Sequence, residues 1–376
     1  MSTDGSWIST FGVGGLGRTT LCHFGSCNAF VDATVQTDGS PIIVGASYTA
    51  RFSSVGKAYT GVQEASSITI DDQGGYVVLQ GGVTVQPDGK ILVAGAGFIK
   101  QPDVQKFGIV RLKSDLSLDT TFNQANIAGV NYSGGAVVSL VDGEEESAEY
   151  VLVQPDGRII LVGWGIPAVD VRVLDMVRLN VDGSLDNSFG TGGKASFAWP
   201  TGGAISPGRP ILDSVGRVLV PLGVLPTIGG EIISVARVTP AGQLDKNFGQ
   251  QAGFATFSLT GSCPNTSATA LALDSAGRIV VVGGCYFGSS YFIVIRLRGD
   301  TGYLDGSFGI SGHGLGEFAA GTAHDAATSV AFDSSGRPLV GGYSGSLSGI
   351  SRLSYDLIYT NNFEPAPRGC LPPNCD

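Results

Sequence analysis

Hydrophobic positions in this chain fall into short dense runs. Each run is closed by a turn ending in glycine and followed by a second run. Six copies are legible: VDATVQTDGSPIIVGA, VTVQPDGKILVAGA, VLVQPDGRIILVGW, PILDSVGRVLVPLG, LALDSAGRIVVVGG and VAFDSSGRPLVGGY. Their turn glycines are Gly39, Gly89, Gly157, Gly216, Gly277 and Gly336, separated by 50, 68, 59, 61 and 59 residues. Recurrence at this interval marks an array of one supersecondary unit. The runs KILVAG, RIILVG and RIVVVGG are apolar almost throughout, whereas a half-buried strand would alternate. They predict strands whose sheets are covered on both faces.

A second phrase alternates with the first: LDTTFN (118–123), LDNSFG (185–190), LDKNFG (244–249) and LDGSFG (304–309). Degenerate versions stand at 7–12 (WISTFG) and 359–364 (YTNNFE), and only IDDQGG at 70–75 resembles it between Gly39 and Gly89. Read from LDNSFGTGG onward, one unit holds a short strand KASFAW, a loop, a strand into the DSVG turn, RVLVPLG, a second loop and IISVARV. That is four strands of ordinary length. A ring of such blades covers both faces of every sheet, while an open stack needs end caps. The expected fold is all-β: a six-bladed β-propeller of four-stranded antiparallel blades, with seven blades as the alternative. It forms a single domain over 1–364, followed by a Pro/Cys-rich C-terminal tail over 365–376.

Composition narrows the partners. Glycine is abundant (58 residues) and methionine scarce (2), as suits many short strands. A net charge of −10 argues against nucleic acid or anionic lipid. No apolar run approaches the ~18 residues of a spanning helix, so no transmembrane segment is expected. The first twelve residues lack the basic and apolar regions of a leader, so no signal peptide is expected within them. Six cysteines fall into three near pairs: Cys22 with Cys27, Cys263 with Cys285, and Cys370 with Cys375. Locality favours three disulfides among the 15 possible pairings, with six free thiols as the alternative. Disulfides imply an oxidising compartment: secreted, cell-surface or periplasmic.

The alternation of VQPDGKILVAG, a strand ending in Arg-Leu, and LDxSFGxGG resembles the delta-60 repeat family of bacterial secreted and surface proteins. The likeness covers nearly all of 7–364, with copies 3 to 6 strong and the first degenerate. It implies a propeller and a location outside the cytoplasm, but no particular activity.

One polar pair recurs. Arg111, Arg178, Arg237 and Arg296 each end a strand, and Asp119, Asp186, Asp245 and Asp305 follow eight or nine residues later. A ring of anion-gripping arginines is one reading. The favoured one is a bidentate bridge within each blade, because a motif built repeatedly suits a scaffold. Arg352 is the last copy, where position 360 is Thr. The phrase's Phe122, Phe189, Phe248 and Phe308 read as packing between blades. The Asp-Gly and Ser-Gly turns are hairpin corners. They lack the spacing of a Ca²⁺ loop, and no metal or cofactor is expected.

Topology separates two ends of each unit. The glycine turns and LDxxFG phrases share one end, and the variable loops share the other, where binding groups tend to sit. Cys263 and Cys285 are expected nearly opposite across their hairpin, and Cys22–Cys27 staples another variable loop. The same end collects the ligand-binding candidates Trp164, Trp199, Tyr286, His23 and His324. The Glu144–Glu146 run reads as a solvated tip. With three histidines, no G-x-S-x-G and no H-E-x-x-H, the reading leans away from an enzyme. The expected function is a secreted or surface-displayed binding propeller for an unknown protein or glycan. The alternatives are a polysaccharide-acting hydrolase or lyase, and a self-associating subunit of an extracellular assembly.

Overall fold

The computed structural model describes residues 30–45, 48–54, 58–63, 67–99, 104–127, 130–140, 145–169, 171–227, 230–257, 265–287, 289–309, 312–316, 318, 325–345 and 347–353. All regular structure among them is β-strand. The chain divides into two compact units, Met1–Phe197 and Ala198–Asp376.

In the first unit the strands are β1 (Phe30–Val35), β2 (Pro41–Gly45), β3 (Tyr48–Phe52), β4 (Ala58–Gln63), β5 (Ser67–Thr69), β6 (Tyr76–Val78), β7 (Val83–Val85), β8 (Ile91–Phe98), β9 (Lys106–Leu112), β10 (Ala125–Ile127), β11 (Val130–Tyr132), β12 (Gly135–Val138), β13 (Glu146–Val153), β14 (Ile159–Ala168), β15 (Val171–Leu179) and β16 (Lys194–Phe197). β1 to β4 pair in chain order. β8 pairs with β9 and β9 with β12, while β7 and β6 share the other side of β8. β13, β14, β15 and β16 pair in succession, all antiparallel.

The second unit holds β17 (Gly203–Pro207), β18 (Ile211–Leu212), β19 (Val218–Pro226), β20 (Ile232–Val238), β21 (Phe254–Phe257), β22 (Asn265–Leu273), β23 (Ile279–Phe287), β24 (Ser289–Leu297), β25 (His313–Gly316), β26 (Asp325–Phe332), β27 (Pro338–Ser344) and β28 (Leu347–Arg352). β17 and β18 both pair with β19, which continues to β20 and β21. β22 to β25 pair in succession, as do β26 to β28.

These pairings shift the repeat frame by one strand. The sequence places KASF at the start of the unit that follows it. In the structure β16 pairs with the preceding β15, Lys194 opposite Val177; β12, β21 and β25 do the same with β9, β20 and β24. LDxxFG is therefore a hairpin loop inside one sheet. It turns back tightly because Phe189 N–H donates to Asp186 C=O, Gly193 N–H donates to Phe189 C=O, and Gly190 and Gly193 hold φ of 55° and 90°. Only glycine takes such angles without steric cost.

The glycine six residues after several turns has a different cause. The incoming strand bulges at one place in three copies: between Ala148 and Tyr150, Ala268 and Ala270, and Ala327 and Ser329. Its carbonyl then presses on the facing strand. A Cβ on Gly163 would lie 1.8 Å from Ser147 O, and one on Gly283 would lie 1.7 Å from Ser267 O. These glycines are set by backbone approach.

The apolar runs are buried as the pattern predicts. β9 is buried at every position, and Ile91–Ala96 likewise in β8. One core joins Leu92, Phe107 and Ile109 to Val151, Ile159, Leu161 and Val177 across two neighbouring sheets. An equivalent core in the second unit joins Leu219, Ile233 and Val235 to Leu271, Ile279, Val281 and Ile295. Each fully buried aliphatic side chain of this kind contributes about 1.5–3 kcal/mol.

Candidate functional site

The recurrent arginines have their donors spread over scaffold groups. Arg111 Nε donates to Asp119 Oδ2 at 2.8 Å, Arg178 Nε to Asp186 at 2.8 Å, Arg237 Nε to Asp245 at 2.9 Å and Arg296 Nε to Asp305 at 2.8 Å. The bridge uses one carboxylate oxygen rather than the expected bidentate fork. The Nη2 amine turns instead to a hydroxyl, Ser188 Oγ at 2.9 Å from Arg178 and Ser307 Oγ at 3.0 Å from Arg296. The other oxygen of Asp186 is taken by the Ser188 hydroxyl and N–H, and that of Asp305 by Ser307 in the same way. This explains the Ser or Thr two residues after three of the aspartates.

Each guanidinium also lies over the phrase's phenylalanine, 4.1 Å from the Phe248 centroid for Arg237 and 4.5 Å from Phe122 for Arg111. The arginine reaches the next copy as well. Arg111 Nη1 donates to Val181 O at 2.9 Å, and Arg237 donates to Gly299 O at 2.6 Å and Asp300 O at 2.8 Å. Burial works against an ionised Asp119, but Thr121, Lys90 and Arg111 outweigh it and hold its carboxyl below the ordinary value. Arg352, whose aspartate position is Thr360, is exposed; Thr360 lies outside the described residues.

At the opposite end of the third sheet sits Trp164. The sequence reading places it in a loop, but β14 continues through it to Ala168 and pairs Trp164 with Ser147 and Leu174. Its indole N–H donates to Glu149 Oε1 at 2.8 Å, and the Arg172 guanidinium lies 4.2 Å from its ring centroid. The ring is half-buried and held on two sides. Burial raises the Glu149 carboxyl above its ordinary value, opposed by the Trp164 N–H and the Arg172 charge.

The other candidates separate. Trp199 is only 4 % exposed and meets Phe254 edge-on at 5.2 Å, so its ring is spent on packing rather than presented at a surface. Tyr286 lies inside β23, opposite Asn265, and not in a loop. Cys285 is also within β23, fully buried, opposite Thr266. No cysteine among the described residues is free. His23, His324, Cys22, Cys27, Cys263, Cys370 and Cys375 lie outside the described residues.

Three acids escaped the sequence reading. Glu146 is no part of a solvated tip: it opens β13, is 1 % exposed, and accepts the Leu140 N–H at 2.9 Å, while its neighbour Glu145 is exposed. Asp325 does the equivalent in the second unit, accepting the Phe318 N–H at 2.6 Å. Each carboxylate thus ties a backbone N–H six or seven residues earlier to the start of its strand. Asp175, in the middle of β15, is 1 % exposed. Its signal was an acid inside an apolar strand, VRVLDMVRL, where sibling copies carry Gly108, Ser234 and Ile293.

At the turn end of the second unit, Leu273, Ser275, Phe332 and Asp333–Gly336 line a shallow groove of about 380 Å³ between two hairpin corners.

A family model matches two copies of the repeat. A family described as "Domain of unknown function (DUF5122) beta-propeller" matches residues 86–122 and 154–189. Each match runs from the glutamine of the QPDG turn to the phenylalanine of the LDxxFG phrase, so these two copies resemble a β-propeller repeat to which no function is attached. No curated protein matches the sequence. Among solved structures, a puromycin hydrolase mutant complexed with PGG is similar at 14% identity and a TM-score of 0.48, over 91% of this chain and 46% of that one. This chain thus spans less than half the length of that hydrolase. A protein of unknown function from Dyadobacter fermentans is similar at 12% identity and 0.46, over 86% and 93%. A polysaccharide lyase, an ulvan lyase, follows at 9% and 0.47, over 90% and 81%. Likenesses this distant carry no residue-level correspondence.

Proposed function

We propose that the chain is a non-catalytic binding propeller, with its ligand, a protein or a glycan, taken at the variable-loop end. The observation that carries this reading is Trp164. It sits on a rigid strand, is oriented by Glu149 and Arg172, and keeps part of its ring accessible. An amphipathic ring of this kind supplies contact area at low entropic cost. The recurrent arginines, by contrast, are committed to the scaffold and leave little for an anion. His23, Tyr286 and His324 are proposed as neighbours of the same end.

The fold proposed with it is a closed ring of six four-stranded blades over 1–364, of the delta-60 type, with 365–376 as a tail. Small-angle scattering separates a closed disc from an open arc. We further propose secretion or surface display, with Cys22–Cys27, Cys263–Cys285 and Cys370–Cys375 as disulfides. Mass mapping of the unreduced protein tests the pairs.

The binding reading is tested by glycan arrays and pull-down from extracellular extracts with the wild type and Trp164→Ala. A ligand kept by the wild type and weakened at least tenfold in the variant supports it. A ligand bound equally by both overturns the assignment to Trp164.

A further inference from the structure

The buried acids Glu146 and Asp175 share one face of the third sheet. Glu146 pairs with Gly165, Asp175 pairs with Gly163, and two-residue steps along a strand return to the same side. They converge where Gly165 has no side chain: a Cβ there would meet Asp175 Oδ2 at 2.2 Å and Glu146 Cγ at 3.4 Å. From the neighbouring sheet, Lys106 brings its Nζ to 3.7 Å from Glu146 Oε1. All three side chains are more than nine-tenths buried. Glu146 is tied to the Leu140 N–H. Asp175 differs, because its buried Oδ1 has no hydrogen-bond partner among the described residues.

The cation here is set against Glu146, and one carboxyl oxygen of Asp175 has no donor among the described residues. A fully ionised Asp175 would be an uncompensated charge in a low-dielectric interior, which proteins avoid by taking up a proton. We propose that Asp175 is a proton-binding site: it is held protonated beside the Glu146–Lys106 pair that joins the third sheet to its neighbour, and its ionisation as the pH rises through neutrality loosens that end.

The other charged groups around it are engaged elsewhere or more distant. On β13, Glu149 belongs to Trp164, on the opposite face. On β15, Arg172 covers Trp164 and Arg178 bonds Asp186. On β16, Lys194 lies two residues beyond Ser196 on the face that Asp175 shares. β8, β12 and β14 carry no charged residue. Burial pushes the Asp175 carboxyl up to about 7, with the Ser196 hydroxyl opposing and the Glu146 charge adding. Ser196, which hydrogen-bonds the Asp175 carboxyl, is itself exposed on β16.

The sign follows from linkage. A carboxyl that titrates near 3.8 when unfolded and near 7 when folded binds its proton more tightly in the folded state. Its contribution is favourable at low pH and is lost as pH rises between those values. The folding constant should fall on the order of 100-fold from pH 5 to pH 8 through this group alone. The test is denaturant unfolding across that range for the wild type, Asp175→Asn and Glu146→Gln. Asp175→Asn should remove the slope, and Glu146→Gln should move it to lower pH. An unchanged slope in Asp175→Asn overturns the proposal. Should that variant fail to fold, infrared spectra of the wild type decide. A buried protonated-carboxyl band present at pH 5 and gone at pH 9 supports the site, and its absence at pH 5 rejects it.

Discussion

The same hairpin corner is built with two chemistries. In two corners of the first unit it reads QPDGK or QPDGR, and Asp88 and Asp156 accept the N–H two residues on, from Lys90 and Arg158. These aspartates are exposed, and the Arg158–Asp156 pair at 3.3 Å has both side chains about half in solvent. The glutamine three residues before the glycine is buried, and Oε1 of Gln86 and of Gln154 has no partner among the described residues. In the second unit that position is an aspartate. Asp274 Oδ1 accepts the N–H of Ala276 and of Arg278, and Oδ2 takes Arg278 Nε at 2.6 Å. Asp213 and Asp333 repeat the arrangement. One carboxylate thus closes the turn, caps the returning strand and fixes the arginine. The glycine's φ barely changes, 84° at Gly157 and 74° at Gly277. Backbone geometry is the invariant, and the side chains that hold it are interchangeable.

Both chemistries hand their cation to the same place. Arg158 reaches Asp186 at 3.3 Å and Arg278 reaches Asp305 at 3.7 Å, so the peg aspartate sits between two positive groups in either unit. The largest effect should come from removing this shared element. Arg237→Leu leaves Asp245 beside a buried gap and strips two carbonyls of their donor. A loss of about 3 kcal/mol is expected in denaturant unfolding, and a loss under about 1 kcal/mol would mean the peg is ornamental.

Next comes the contrast itself. Asp274→Ala should cost about 2 kcal/mol, because two backbone donors and an arginine lose a charged acceptor. Asp156→Ala should cost less than about 0.5 kcal/mol, as expected of an exposed pair. Equal midpoint shifts in the two variants would erase the distinction. Converting one chemistry into the other is subtler. Gln154→Asp places a carboxylate four residues before Arg158, the Asp274–Arg278 spacing, and should stabilise by at most about 1 kcal/mol. A destabilised variant would show that Asp156 already saturates that arginine.

The smallest effect at neutral pH is visible only in acid. Asp186 and Asp305 are held below the ordinary carboxylate value; burial opposes this, but Ser188 or Ser307 and the partner arginine prevail. Their contribution is present above pH ~3.8 and is lost as pH falls through the lower folded value. Acid unfolding should therefore begin below pH 4 and be blunted in Asp186→Asn. This trend runs opposite to that of Asp175, so the two can be read separately in one pH series.

Much of this architecture was legible in order and little of it in space. Turns, strands and pegs follow from local residue types: Gly at φ > 0, apolar runs, Arg and Asp at a fixed interval. The strand frame did not, because nothing in KASF states whether it pairs with the strand before or after it. Glu146 was misplaced because an acidic run looks solvated, whereas its last member is buried at the start of β13 and accepts the Leu140 N–H. Trp164 and Trp199 are alike as letters and differ only in what packs around them. Asp175 could have been found by aligning the copies against one another.

Arg111 spends one donor on a carbonyl seventy residues downstream, and Arg237 spends two in the same manner. These two modules are therefore finished by the one after them, like a link that needs its successor to shut. Duplication can lengthen such a chain by whole periods, but a cut inside a period would strand a guanidinium without its acceptors. A single excised copy should be a poor independent folder, and shorter relatives should lose modules only in complete steps.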